Sequence, residues 1–174
     1  MTGRWRCTSV AGLTLIELLV SMSVVLLLAG VLLDRLLYYQ EAAEKARIEL
    51  EIVTLKVALQ ARIGALLAEH RVVNYGALAR ENPVKWLDQP MPGYQGELGP
   101  AQAQLMKGGM WYFDREAAQL VYVVNNGRYF SADRSGRKCI RLHAKLVRAQ
   151  SSGANEDAAV LGLQVTPAEP YRWM

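Results

Sequence analysis

Hydrophobic positions along the chain follow three successive patterns. From Leu13 to Leu33 there are 21 residues and one charge, Glu17. At 1.5 Å per residue this stretch predicts a helix of ~31 Å, long enough to cross a bilayer core. Helical patterning continues from Asp34 to about His70, with no proline and one glycine, Gly64. Ile48, Ile52, Leu55, Leu59, Ile63 and Leu66 recur every three or four residues and so line one face. Glu41–Lys45, Lys45–Glu49 and Arg47–Glu51 have the spacing of helical ion pairs. The two stretches form one predicted helix of about 55 residues, apolar all round at first and amphipathic after Asp34. The stripe suits a sheet or a partner helix, and the strands that follow favour the sheet. Gly30 lowers helix stability in the apolar half by about 1 kcal/mol relative to alanine, with a role in packing, in local stretching or none.

Residues 71–108 hold Pro83, Pro90, Pro92 and Pro100 with five glycines, and predict a connecting loop. Trp86 and Tyr94 are expected to pin it to the domain. Gly93, Gly96 and Gly99 lack the spacing and context of a phosphate-binding loop. From Gly109 the period becomes two. Met110–Phe113 and Leu120–Val124 read as a hairpin, Asn126-Gly127 as a turn before Tyr129-Phe130, and Asp133–Gly136 as another turn. Ile140, Leu142, Ala144 and Leu146 alternate with Arg141, His143 and Lys145. After a polar loop at Gln150–Asp157, alternation returns at Ala159–Val165. The predicted class is α+β: a long N-terminal helix packed on a C-terminal antiparallel β-meander of four or five strands.

Composition adds little to this picture. The chain has 174 residues, 52% of them apolar, and a net charge of +4. Two of its 20 basic residues, Arg4 and Arg6, precede the apolar run, leaving 18 against 16 acidic ones. The basic residues form no block, so no nucleic-acid partner is expected. No nucleophile elbow, Walker loop or zinc-binding helix is present, and no enzymatic activity is expected. His70 and His143 lack further ligands at metal spacing, and Asn155-Glu156-Asp157 is too sparse for calcium. Neither a metal nor a cofactor is expected. The two cysteines are Cys7 and Cys139, the latter expected as a small buried residue.

Glu17 raises the sharpest question. A charge in a membrane helix costs about 2.5–3.5 kcal/mol at its centre and less near an end. A secretory signal would have a shorter apolar run and a small-residue cut site. A plain anchor, with Arg4 and Arg6 on the cytoplasmic side, leaves the carboxylate unexplained. The stretch Gly12-Leu-Thr-Leu-Ile-Glu-Leu-Leu-Val20, behind a short basic leader, resembles the signal of type IV pilins and type II secretion pseudopilins. The resemblance implies a cut after Gly12 by a prepilin peptidase, which also methylates the new N-terminus at Leu13. Phenylalanine is commoner in the family where Leu13 stands. Residues 1–12 would be the leader and 13–33 the membrane and filament-core helix, anchored by Leu15, Ile16, Leu18, Leu19, Val20, Val24, Val25 and Leu26.

Glu17 matches the family's glutamate at the fifth position after the cut. The resemblance implies that it pairs with the amine of a neighbouring subunit and so sets register. Burial consumes much of the Coulomb gain of such a pair. The bland alternative is a protonated or headgroup-reaching carboxylate at the membrane edge. The segment 34–70 would continue the helix, 71–108 connect, and 109–174 form the sheet and tail. Asn82-Pro83, Trp86, Tyr94–Leu98, Gly109–Asp114 and Leu120–Tyr122 further resemble minor pilins of the mannose-sensitive haemagglutinin type.

The expected role is a structural subunit, a minor pilin or pseudopilin, of a pilus or secretion pseudopilus. One cysteine after the leader cannot form the C-terminal disulfide of many major pilins, which favours a minor subunit. The implied partners are the peptidase, other pilin subunits, an inner-membrane assembly platform and membrane lipid. The implied location is the inner membrane, N-terminus cytoplasmic and C-terminal domain periplasmic, and then the filament. The alternative is a single-pass, membrane-tethered periplasmic binding domain with no filament role.

Overall fold

The computed structural model describes residues 14–132, 137–148 and 160–173. Gly12 and Leu13, the expected turn at Asp133–Gly136 and the polar loop at Gln150–Asp157 lie outside them. One helix, α1, runs Leu15–Ala68 over 54 residues, as the uninterrupted helical patterning requires. It ends without a glycine. His70 takes a left-handed conformation (φ 54°), Arg71 N–H reaches the Leu66 carbonyl at 3.1 Å and His70 N–H that of Leu67 at 3.0 Å. These two bonds close a Schellman-type end.

The chain divides into two compact units, one up to Tyr39 and one from Gln40 onward. In the first, every described residue of α1 is exposed. In the second, Ile48, Ile52, Leu55, Leu59 and Ile63 of α1 are buried, in the register that their spacing predicts. They share a core with Trp111, Phe113, Leu120, Tyr122, Ile140, Leu142, Leu163 and Val165.

Those partners lie on a five-stranded sheet of order β1-β2-β3-β5-β6, formed by Tyr94–Leu98, Met110–Asp114, Gln119–Val123, Cys139–Arg148 and Val160–Pro167. The pairs β2–β3, β3–β5 and β5–β6 are antiparallel. That is the expected meander. Two features depart from it. Strand β1 arises inside the expected connecting loop and pairs parallel with β2, so the sheet is mixed. A short crossover carrying helix α3 (Pro100–Gln104) makes this possible. Strand β4 (Phe130–Ala132) leaves the main sheet and pairs with β7 (Tyr171–Trp173) as a separate two-stranded ribbon. Phe130 meets the Trp173 ring edge-on at 5.3 Å and stacks on Tyr171 at 5.8 Å. This aromatic contact gives the short β4 a better partner than the main sheet edge.

The rest of the connection is also ordered. Helix α2 (Tyr75–Arg80) is capped by Asn74, whose side chain accepts from Ala77 N–H. A 3-10 turn at Pro83–Trp86 is capped by the buried Asn82, which also donates to the Tyr94 hydroxyl (2.6 Å) and to Glu97 (3.0 Å). Trp86 is buried and donates to Glu81 at 3.2 Å. Both aromatics thus pin this segment, as expected. On the opposite sheet face, Ala103 of α3 covers Tyr112, Val121 and Cys139. Cys139 is buried and free.

Two glycines serve visible ends. Gly96 interrupts β1 at φ 99°, where the pairing register with β2 shifts. At Gly108 the chain passes so close to β3 that an added Cβ would stand 2.7 Å from Asn125 Cα and 3.1 Å from the Val124 carbonyl oxygen. Backbone atoms cannot retreat as a side chain can. Gly108→Ala is therefore expected to lower stability by about 1–3 kcal/mol. Gly64→Ala, in open space inside α1, should raise it by about 0.5–1 kcal/mol. Thermal unfolding of both variants in detergent, followed by circular dichroism, checks the opposite signs.

Candidate functional site

Of the residues that the sequence singles out, the structure describes Glu17 and the eight anchor positions. Glu17 is exposed in the first turn of α1. Its backbone N–H donates to Thr14 Oγ1 at 3.4 Å, and Thr14-x-x-Glu17 has the form of a capping box. A carboxylate here also faces the positive end of the helix macrodipole. The bond to Thr14 engages the Glu17 backbone, and the carboxylate itself stands exposed. Leu15, Ile16, Leu18, Leu19, Val20, Val24, Val25 and Leu26 are all exposed. The most apolar 18-residue window of α1 has a mean hydropathy of 2.6 and none of it is buried. Its length and composition are compatible with a single membrane span. Ser23, the other polar side chain here beside Ser21, donates its hydroxyl to the Leu19 carbonyl at 2.8 Å, which satisfies it within the helix.

The second unit holds a feature that the spacing of α1 conceals. Glu41, Glu44 and Glu51 sit on the same helix face as the buried aliphatic stripe. Each accepts hydrogen bonds from the β-rich part of the unit. Glu41, only 2% exposed, accepts from Tyr129 N–H at 2.9 Å and from Trp173 Nε1 at 3.0 Å. Glu44 accepts from the Tyr122 hydroxyl at 2.7 Å, and from Asn125 and Asn126 N–H at 2.8 and 2.9 Å. Glu51 accepts from Trp111 Nε1 at 2.6 Å. Trp111 and Tyr122 are cross-strand neighbours on β2 and β3 with rings 4.9 Å apart. Their apolar bodies fill the core while their polar tips reach the helix.

Glu41 is thus committed to the ribbon, not to the expected pair with Lys45. Among the described residues Lys45 lies 3.9 Å from Glu49, and Arg47 lies 3.4 Å from Glu51, as their spacing suggests. The exposed Lys45–Glu49 pair contributes little. Burial raises the Glu51 carboxyl above the ordinary carboxylate range, against the Trp111 hydrogen bond and the Arg47 charge. Burial also raises the Tyr122 hydroxyl, and the Glu44 carboxylate raises it further, so it remains a neutral donor. At about 100° per residue only Glu41 falls within the arc of 48, 52 and 55, while Glu44 and Glu51 lie about 20° and 40° beyond its edge, so the spacing hints at the seam through Glu41 alone.

Elsewhere, Glu97 is held below its usual range by hydrogen bonds from Asn82 and Lys85, at 3.0 Å each, and by Arg115 at 3.2 Å. His143 is half-buried, with Nδ1 lacking a partner among the described residues, and His70 is exposed at the end of α1. A cleft of about 1080 Å³ runs beside α1, between Thr54, Ala58, Ala61 and Ala65 and the segment Trp86–Pro92. Its rim carries Arg47, Arg62 and Lys85 against Glu51, Glu81 and Asp88, a balance that selects no particular charge on a ligand.

The raised Glu51 carboxyl has a defined consequence. A group whose folded-state pKa exceeds its unfolded value stabilises fully below the unfolded value, and that contribution is lost as pH rises through the folded one. The unfolded value is about 4.3. Glu51→Gln keeps an acceptor for Trp111 and removes the charge. Between pH 4 and pH 7 the variant should gain stability relative to the parent. Paired thermal melts at the two pH values check this, and a pH-independent difference would contradict it. No family model, curated protein or solved structure matches this chain.

Proposed function

We propose that the chain is a structural subunit of a type IV pilin-like filament, a minor pilin or pseudopilin, processed after Gly12 and assembled through α1. The observation that carries this reading is the stretch Gly12–Val20: a glycine-ended basic leader and a carboxylate in the first turn of a helix with no buried residue before Glu41. An ordinary anchor needs neither the glycine nor the glutamate. A second feature supports assembly. On α1 of the second unit, Leu50, Val53 and Val57 form an exposed apolar stripe opposite the buried one. Such a stripe suits contact with other helices. The fold is of the kind that the resemblance implies, a long helix on a sheet.

The competing reading is a tethered periplasmic binding domain, favoured by the cleft beside Trp86 and Met91. It assigns no role to Gly12 or to the charge on Glu17.

Two sets of variants separate the readings. Gly12→Val should abolish processing by a prepilin peptidase, seen as a chain that keeps its leader on a gel, whereas Gly12→Ala should still be cut. Glu17→Leu and Glu17→Gln should both insert in the membrane and both enter sheared filaments poorly. Glutamine can keep the hydrogen bond of a capping box but not the charge. Normal incorporation of Glu17→Gln would reduce the residue to a helix cap, and normal incorporation of both would remove it from assembly altogether.

A further inference from the structure

Hydropathy places the end of the apolar run at Leu33, because Asp34 and Arg35 follow. The helix does not become polar there. Leu36, Leu37, Tyr38 and Tyr39 come next, and they are 53%, 45%, 41% and 65% exposed. Four consecutive large apolar or aromatic residues, open to their surroundings and next to a charged pair, are out of place on a helix bathed in water. Tyr38 and Tyr39 touch edge-to-face, with ring centres 5.7 Å apart. They project 100° apart around the helix axis, so together they cover a broad arc of it.

Their height along the helix decides between environments. If the run from Leu13 to Leu33 fills the ~30 Å hydrocarbon layer, Tyr38 and Tyr39 lie ~8–9 Å beyond its end. The headgroup zone occupies about 5–8 Å on each side of the hydrocarbon, so the two backbones stand at or just past its outer edge. Helix side chains lean toward the N-terminus, here back toward the bilayer, and this brings both rings into the zone. Tyrosine is favoured there because its ring is apolar and its hydroxyl stays wet. Asp34 and Arg35 then stand at the hydrocarbon edge, where long charged side chains extend toward water. Leu36 and Leu37 lie about 4–6 Å past that edge, within the interfacial layer, with their side chains leaning back toward the hydrocarbon.

We propose that Leu36–Tyr39 is a membrane-interface anchor, with Tyr38 and Tyr39 seated in the lipid headgroup layer. The lipid contact of α1 thereby extends about six residues past the end of the hydropathic run. This rests on the membrane reading of the first unit given above. It goes beyond that reading by fixing the depth of the helix and assigning the residues that hold it.

Site-directed spin labelling of the full chain in phosphatidylethanolamine/phosphatidylglycerol vesicles tests it. The label is placed at Val24→Cys, Tyr39→Cys or Val53→Cys, in a background with Cys7→Ser and Cys139→Ala. Depth is read from relaxation by oxygen against a water-soluble nickel chelate. The label at position 24 should lie deep and that at 53 should be aqueous. The label at 39 should fall between them, at headgroup level. If 39 is as aqueous as 53 while 24 is deep, the interface anchor is wrong and the membrane span stands. If all three are aqueous, the membrane span itself is wrong. A label at Leu33→Cys then probes the tyrosines directly. Replacing Tyr38 and Tyr39 by serine should move that label by about half a helical turn, ~3 Å. An unchanged depth would overturn their role in anchoring.

Discussion

Helix α1 must satisfy two incompatible surroundings within one continuous backbone. Up to Leu33 it is apolar on every side apart from Glu17, and no described residue before Glu41 is buried. From Glu41 it packs on the β-rich part of its unit, and the first buried side chain is a carboxylate. A buried carboxylate is tolerable only when its oxygens are hydrogen-bonded. The Tyr129 backbone and the Trp173 indole supply that to Glu41, and Tyr122 with the 125–126 backbone supplies it to Glu44. Removing Glu41 would strand the indole N–H of the buried Trp173, and removing Glu44 the hydroxyl of the buried Tyr122, at about 1–3 kcal/mol each. The seam therefore specifies how the helix sits on its sheet, where greasy contacts alone would tolerate sliding. It also explains why the ribbon of β4 and β7 exists: it carries the Trp173 donor to the helix.

Much of the fold was legible in the chain. The period of α1 placed its buried face correctly, because aliphatic residues at three- and four-residue spacing have one way to leave water. The β2–β3 hairpin and β5 followed from alternation and turn residues. What escaped depends on contacts distant in sequence. Tyr94–Leu98 offers only Tyr94 and Leu98 as apolar side chains, with Gly96 at positive φ between them; the register shift there sends the two to different clusters, so the strand is fixed by β2 more than by its own pattern. Phe130 resembles a meander strand, yet its partner is Trp173, over forty residues away. Glu41 has the spacing of a surface ion pair. Its place on the buried arc of α1 is the one sequence sign against that, and Trp173 and Tyr129 supply its partners.

The candidate site divides in the same way. Glu17 and the anchor positions are local features of one helix, and all of them are exposed. Glu17 gains one refinement, a capping position beside Thr14. Whether its charge acts beyond its own helix is a property of an assembly. Two features of α1 point outward to such an assembly: the unburied apolar segment of the first unit, and the exposed Leu50, Val53 and Val57 of the second. A monomer has no use for either in water. The first is compatible with a single membrane span, and the second suits the helix contacts of the proposed filament.

Under the proposed function the chain enters the membrane as a precursor and leaves the peptidase as an assembly-ready subunit. The most direct test is the intact mass and N-terminal sequence of the protein recovered from membranes that contain an active prepilin peptidase. The account predicts a chain that begins at Leu13 with a methylated amine. A chain still carrying Met1 to Gly12, beside a control substrate that has been cut, would contradict it. Such a chain would be a tethered domain with an unexplained glutamate at the start of its anchor.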